Sequence, residues 1–398
     1  MPKGIGRLVQ WGYAKETTRG TAVGSASEWS PYDDLDFDEK VENVVADQAV
    51  GVIEDSIAEY RVKNYADGSF KMPLTDLSSP LLFLSLFGAQ SVGTHSGESA
   101  VYDHTFTVGE SAQHQSLTFF VHDPLGGTDY SHANGVVHKM DIDAQLKKFV
   151  QLSVSVRALK GVSQSSFTPS IVAENRFVPQ NMTFASAPTI AGATGTLTGT
   201  GTCSTTIHVT SLSISTALLK VGMTVTGTNI PAGATVAAIV SSTAFDLSAA
   251  STGSATSYTF GGAVVVLKSF KLSIDESIED QDVLGNVAPA DFLNKEFKVS
   301  GTLEAIYQNL TDFKNAFTAT PNVGQALNIV LKNTDVTIGS TTNPTLAITL
   351  NQVYFKELGR KVTPKDTVYQ TLKFTATYKL ADSAMISAVL TNTQSGTY

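Results

Sequence analysis

Apolar and polar residues alternate over residues 35–38 and again over 272–275, the period-2 pattern of a strand with one buried face. Each stretch leads into a long polar, acidic segment (39–59 in the first case, 275–291 in the second) and then into a strand around Phe70 or Phe297. A helix is expected next in both. The first has Ser79 as N-cap, Pro80 at the first helical position and Gly88 at its close, with Phe83 and Phe87 on one face. The second has Asn309 or Thr311 as its cap and Phe313 and Phe317 at the same spacing. A strand and a final hairpin complete each series, 136–145 into 148–158 and 345–355 into 368–380. The longer second connection holds Lys356, Arg360, Lys361 and Lys365, an exposed arm or simply a solvated charge cluster.

The two series form an internal repeat, too long in period for a solenoid. Residues 35–42 match 272–279, 69–72 match 296–299, 115–123 match 325–333, and 152–156 match 372–376, in the same order. Residues 188–262 interrupt the pattern. They are rich in Gly, Thr, Ser and Ala, almost free of charge, and carry strand and turn signals at 221–227 and 230–233. Strands are expected at 196–212, 224–226, 235–240 and 244–247. The chain is therefore expected to be mainly β: a first domain over 1–187, a small inserted β-sandwich-like module over 188–262, and a second domain over 263–398, each main domain a β-sandwich or half-barrel with a flanking helix.

Composition narrows the function. Of 398 residues, 42% are hydrophobic and only 16% charged, which allows large cores and argues against wholesale disorder. The formal net charge of −9 lacks the basic field that grips phosphate. A lone cysteine, Cys203, leaves no intrachain disulfide framework and no Cys-based zinc site. The first residues lack the apolar core of a secretory signal, and no apolar run has the length of a membrane helix, so a soluble, cytoplasmic product is expected.

Catalytic constellations are weak. Gly195, Gly199 and Gly201 precede no helix pattern, so they imply no phosphate cradle. His95, His104, His114, His122, His132 and His138 cluster in one span with Asp123 and Asp129, but without metal-ligand spacing; loop and strand histidines on solvated surface explain them better. The carboxylates Asp33 and Asp34, Asp36 and Asp38, and Asp141 and Asp143 could be glycosidase pairs, but the i, i+2 pairs put an acidic stripe on one strand face, which is usually just wet. No enzyme, cofactor or metal is expected.

Residues 12–21, GYAKETTRGT, resemble the opening segment of phage tail tube proteins, as does the order strand, acidic segment, strand, helix, strand, hairpin. The insert resembles small β-modules that decorate virion proteins. The resemblance implies a siphophage major tail tube protein with a duplicated tube domain: three chains would form a pseudo-hexameric ring, and rings would stack into a helical tube for DNA ejection. The acidic segments would be stacking arms, with Val44, Val45, Val52, Ile53, Val283, Leu284 and Val287 ordering against the next ring. Asp36, Asp38, Asp141 and Asp143 would face the lumen, which DNA crosses without specific binding. Partners would be further copies of the chain and the tape measure, tail tip and terminator proteins, with no membrane. The alternative is a virion decoration or receptor-binding protein whose insert binds carbohydrate.

Overall fold

The computed structural model describes residues 6–53, 56–124, 126–164, 166–187, 197–214, 216, 219, 224–261, 267–306, 324–362 and 368–398. The expected second helix, with Asn309, Thr311, Phe313 and Phe317, lies outside them, as does Lys365. The first half holds β1 (Gln10–Lys15), β2 (Glu28–Ser30), β3 (Asp34–Ala46), β4 (Ala58–Pro73), α1 (Ser79–Phe87), β5 (Gly88–Thr94), β6 (Tyr102–Val108), β7 (Leu117–His122), β8 (Asp129–Gln145), β9 (Gln151–Ala158), β10 (Val162–Gln164) and β11 (Met182–Ala187). The insert holds β12 (Leu197–Ser204), β13 (His208–Val209), β14 (Thr224–Thr226), β15 (Val236–Ser241), β16 (Ala244–Leu247) and β17 (Ser254–Gly261). Then come β18 (Leu267–Gln281), β19 (Asp291–Ile306), β20 (Gln325–Lys332), β21 (Thr345–Lys361), β22 (Tyr369–Ala376) and β23 (Ile386–Asn392).

The chain is mainly β, as the alternation implies. An antiparallel sheet runs β3-β4-β9-β8-β18-β19-β22-β21. One face buries Phe37, Phe70, Val154, Ile142, Leu272 and Leu303. The other carries polar side chains, because successive residues of a strand point to opposite faces. The first halves of β8 and β21 leave this sheet for a second layer. There β8 joins β7 and β10, and β7 joins β1; β21 joins β20 and β23, and β20 joins β11.

The same pairings thus occur twice, and bulges interrupt them at the same points. They fall between Val137 and Lys139 and between Phe355 and Glu357, between Glu42 and Asn43 and between Ser277 and Ile278, and between Leu117 and Phe119 and between Gln325 and Leu327. The correspondence differs in detail from the expected one. Leu272 lies opposite Gly301 as Phe37 lies opposite Gly68, so Phe37, not Leu35, corresponds to Leu272. Phe374 lies opposite Gly301 as Val156 lies opposite Gly68, so Val156 corresponds to Phe374 rather than Ala376. Phe70 corresponds to Leu303 rather than Phe297. Every discrepancy is an even number of residues, which leaves the buried face unchanged.

Gly68 and Gly301 hold equivalent positions for a steric reason. A Cβ on Gly68 would collide with the backbone of Asp36 and Phe37, and one on Gly301 with the ring of Phe374.

A single buried cluster extends from Trp11 to Leu390 through both halves. All nine residues of α1 are buried, which suits a helix that is apolar nearly all round. Its N-cap is Ser78 rather than Ser79: the Ser79 Oγ accepts from Thr75 N at 3.0 Å, while Ser78 N donates to Glu174 at 2.8 Å. Gly88 ends the helix in the left-handed region, at φ 83°, which Gly adopts freely. Phe83 and Phe87 stack at 6.1 Å, and Phe87 meets Phe297 at 5.8 Å, joining the helix to the second half.

Four further expectations change. About half of each acidic segment is ladder rather than loop, because β3 continues to Ala46 and β18 to Gln281. Lys356, Arg360 and Lys361 lie within β21, whose ladder with β22 reaches Lys361 opposite Tyr369. β11, a strand not expected, falls within the expected first domain (1–187) but pairs with β20 of the second half. In the insert, the expected strand 196–212 is divided into β12 and β13, and β17 is an additional strand. The insert forms two three-stranded sheets around its own core, which includes Val209, Val225, Phe245, Tyr258 and Phe260.

Candidate assembly surfaces

Three features of the surface stand out: the polar face of the main sheet, two projecting ribbons, and a buried polar clamp at the base of the second ribbon.

Asp36 and Asp38 lie on the exposed face of β3, and Asp141 and Asp143 lie half-buried on the same face of β8, three strands along. Strands about 4.8 Å apart place the two pairs roughly 14 Å from each other, too far to act on one bond. Cations are interleaved with them. Lys71 contacts Asp34 at 3.4 Å, Lys271 contacts Asp141 at 3.1 Å, and Lys373 contacts Glu357 at 2.8 Å. The face is thus mixed in charge, where a purely acidic stripe was expected. Ion pairs this exposed contribute little to stability, about 0–1 kcal/mol each.

β3 is exposed on both faces from Asp38 to Val45, and its partner β4 becomes exposed as well from Arg61, opposite Asn43, outward, so the end of the β3–β4 ribbon projects from the core. Its end carries Val44, Val45, Val52 and Ile53, all exposed, Ile53 fully so. Val44 lies opposite Tyr60, another exposed apolar side chain. The β18–β19 ribbon ends in exposed Val283, Leu284 and Val287. Its stem is held to the first ribbon: Asn64 N donates to Val287 O at 2.8 Å, and Lys63 Nζ reaches Asp280 at 2.7 Å and Asp282 at 3.0 Å. Desolvation opposes the charge on Lys63, but the two carboxylates outweigh it and hold its pKa above the usual lysine value. Arg157 bridges Asp67 and Asp280, each at 2.9 Å, and stacks over Tyr65 at 4.9 Å.

Residues 16–21 build the clamp, a role that spacing alone did not reveal. The Glu16 carboxylate is buried and accepts from Gly20 N, Asn134 N, Ser116 Oγ and Thr118 Oγ1 at 2.7–3.0 Å. A buried carboxylate needs such saturation, since its desolvation is otherwise prohibitive. Arg19 crosses to the second half. Its Nε lies 2.7 Å from Asp291 Oδ1, and its terminal nitrogens donate to His114 O and Phe292 O. Asn134 Nδ2 and Gln113 Nε2 also donate to Asp291. Burial works against the Asp291 charge, but Asn134 and Arg19 overcome it and lower the pKa below the ordinary range. Nearby, both ring nitrogens of His114 face carbonyl oxygens, Leu86 O and Gly109 O at 2.9 Å each, and Nδ1 lies 3.2 Å from Glu276 Oε1. Only an imidazolium can donate from both nitrogens. Desolvation opposes that charge, yet Glu276 and the carbonyls raise the His114 pKa.

The remaining clustered histidines disperse into separate contacts. His95 meets Asp103, His122 meets Asp129, His104 meets Gln90 and Asn392, and His132 faces Leu159 O. Among the described residues, no three His, Cys, Asp or Glu side chains gather as metal ligands. Cys203 is buried in the core of the insert.

No curated protein matches the chain. The family model described as phage tail tube protein matches residues 6–376, a span that takes in the Glu16–Arg19 clamp, both ribbons and every strand of the main sheet. The chain belongs to the phage tail tube protein family.

Proposed function

We propose that this structural tail tube protein is built of two tandem tube domains and that three copies close into a pseudo-hexameric ring. The twice-occurring strand order, with bulges at three matching points, carries this reading. Rings stack through the apolar ends of the two ribbons, and the polar face of the main sheet lines a conduit. Alternating carboxylates and lysines there present no broad basic field, so DNA slides past without being held. The tape measure, tail tip and terminator proteins meet the tube at its ends, assembly takes place in the host cytoplasm, and the chain performs no catalysis. Negative-stain electron microscopy of the purified chain tests this: hollow rings or filaments with a threefold mass are expected, and compact particles without a central hole would refute it.

The separate core of the insert favours a second role for that part, as a decoration on the outside of the tube. Deleting 188–262 is expected to leave ring and tube formation intact. A deletion variant that folds but does not assemble would give the insert a structural role instead.

A further inference from the structure

The main sheet ends in two open edges. Among the described residues, one is the outer edge of β3, which pairs only with β4, and the other is the second half of β21, residues 354–361, whose one neighbour is β22. At the middle of the same sheet, the counterparts of these strands already meet, β8 against β18. That in-chain junction is a template for what fits the open edges. The sheet has an even number of antiparallel strands, so β21 of one copy and β3 of the next would also run antiparallel.

The matching bulges and glycines set the transfer of register. Glu357 stands where Lys139 does, and Phe37 where Leu272 does. In the chain, Asp275 pairs with Lys139 and Lys271 with Asp143. Carried to the edges, these positions become Lys40 opposite Glu357 and Asp36 opposite Lys361, and the apolar step Phe270 opposite Ala144 becomes Leu35 opposite Val362. Both charge pairs remain complementary, and both have exchanged sign. Within the chain, Asp36 lies opposite Ser69 and Lys40 opposite Tyr65, so their own ladder offers neither an opposite charge.

We infer that copies of this chain join β21 to β3 in the register that sets Glu357 opposite Lys40 and Lys361 opposite Asp36, and that the exchanged signs keep this junction distinct from the in-chain one. The wrong combinations show why. β8 on β3 would set Lys139 against Lys40 and Asp143 against Asp36. β21 on β18 would set Glu357 against Asp275 and Lys361 against Lys271. Like charges face each other at both positions in each mispairing, and directly opposed like charges destabilise a ladder. First and second halves are thereby made to alternate around the assembly.

The inference rests on the reading of the protein as a self-assembling tube subunit, and the test separates the two. In a Cys203→Ser background, Lys40→Cys with Glu357→Cys is expected to form covalent multimers on oxidation, because directly opposed residues lie within disulfide reach. Glu42→Cys with Glu357→Cys is displaced by two residues, about 7 Å along the strand, and is expected not to cross-link. Rings in electron micrographs without the first cross-link, or with both cross-links equally, would overturn the register while leaving the tube intact; monomers alone would overturn both. For the charge code, Lys40→Glu alone is expected to weaken assembly about tenfold at low salt, and Lys40→Glu with Glu357→Lys to recover most of it. Because Glu357 also contacts Lys373, Asp36→Lys with Lys361→Asp provides an independent exchange. Single variants that keep the wild-type melting temperature and assemble normally, or double variants that fail to recover, would overturn the code.

Discussion

β3 and β18 hold matching positions in the strand order but sit in different settings. Both pair with a long neighbour over matching ladders, with a bulge at the matching point. β18 lies mid-sheet between β8 and β19 and buries Phe270, Leu272, Ile274 and Glu276 in succession on one face. β3 buries only Phe37 on that face; its next two positions, Glu39 and Val41, are exposed. The pairing correspondence sets Val41 against Glu276. An apolar residue is exposed on the edge strand, and a carboxylate is buried on the central one. The difference is one of neighbours: β18 has β8 beside it and the Arg19 and His114 clamp at its stem, whereas β3 has an open edge.

The comparison can be tested, beginning with the largest effect. Gly68→Val should cost about 4 kcal/mol, because the new side chain meets the Asp36 and Phe37 backbone; Gly301→Val should cost about 2–3 kcal/mol, since its closest clash is with the end of the Phe374 ring and the Lys271 carbonyl oxygen is met less closely. Chemical denaturation measures both, and equal costs would mean that the two strand pairs yield alike. Arg19→Ala should cost about 3 kcal/mol at neutral pH, because Asp291 remains buried without its cation. The Asp291 pKa is depressed, so its contribution is complete above the ordinary Asp range and is lost as pH falls through the lower, folded-state value. The Arg19→Ala deficit should therefore shrink on acidification below the ordinary Asp range, and a deficit independent of pH would point to packing alone.

His114→Gln should cost about 2 kcal/mol at pH 6. Here the pKa is raised, so the stabilisation is fully present below the ordinary His value and fades as pH rises through the folded-state value. Thermal melts of wild type and variant should converge at alkaline pH; a constant gap would argue that the ring acts through shape rather than charge. The smallest effect on stability belongs to the ribbon end. Replacing Val44, Val45, Val52 and Ile53 with Ser should change unfolding by under about 0.5 kcal/mol, since all four are exposed, yet leave rings that do not stack. Normal filaments from that variant would remove the ribbon from the stacking contact.

Much of this was legible in the residues. Alternation marked β3 and β18, Pro80 and Gly88 bounded α1, and the charge-poor composition of 188–262 set off a region with a core of its own. The four aspartates expected on one sheet face do share it, but the interleaved Lys71, Lys271 and Lys373 were invisible until pairing set the strands side by side. The clamp was hidden for a similar reason. Glu16 and Arg19 look like an ordinary polar stretch, and their partners lie about a hundred residues or more away, at Ser116, Asn134 and Asp291.

By itself, the sequence determined which face of each strand is buried, because apolar period-2 patterning is local and survives any even displacement. It did not determine which residues lie opposite each other: Leu272 matches Leu35 by eye and Phe37 by pairing, a slip of two that costs the pattern nothing. Only the tertiary structure resolved this, since bulges, the close approach of strands at Gly68 and Gly301, and hydrogen bonds between distant segments exist only once strands meet.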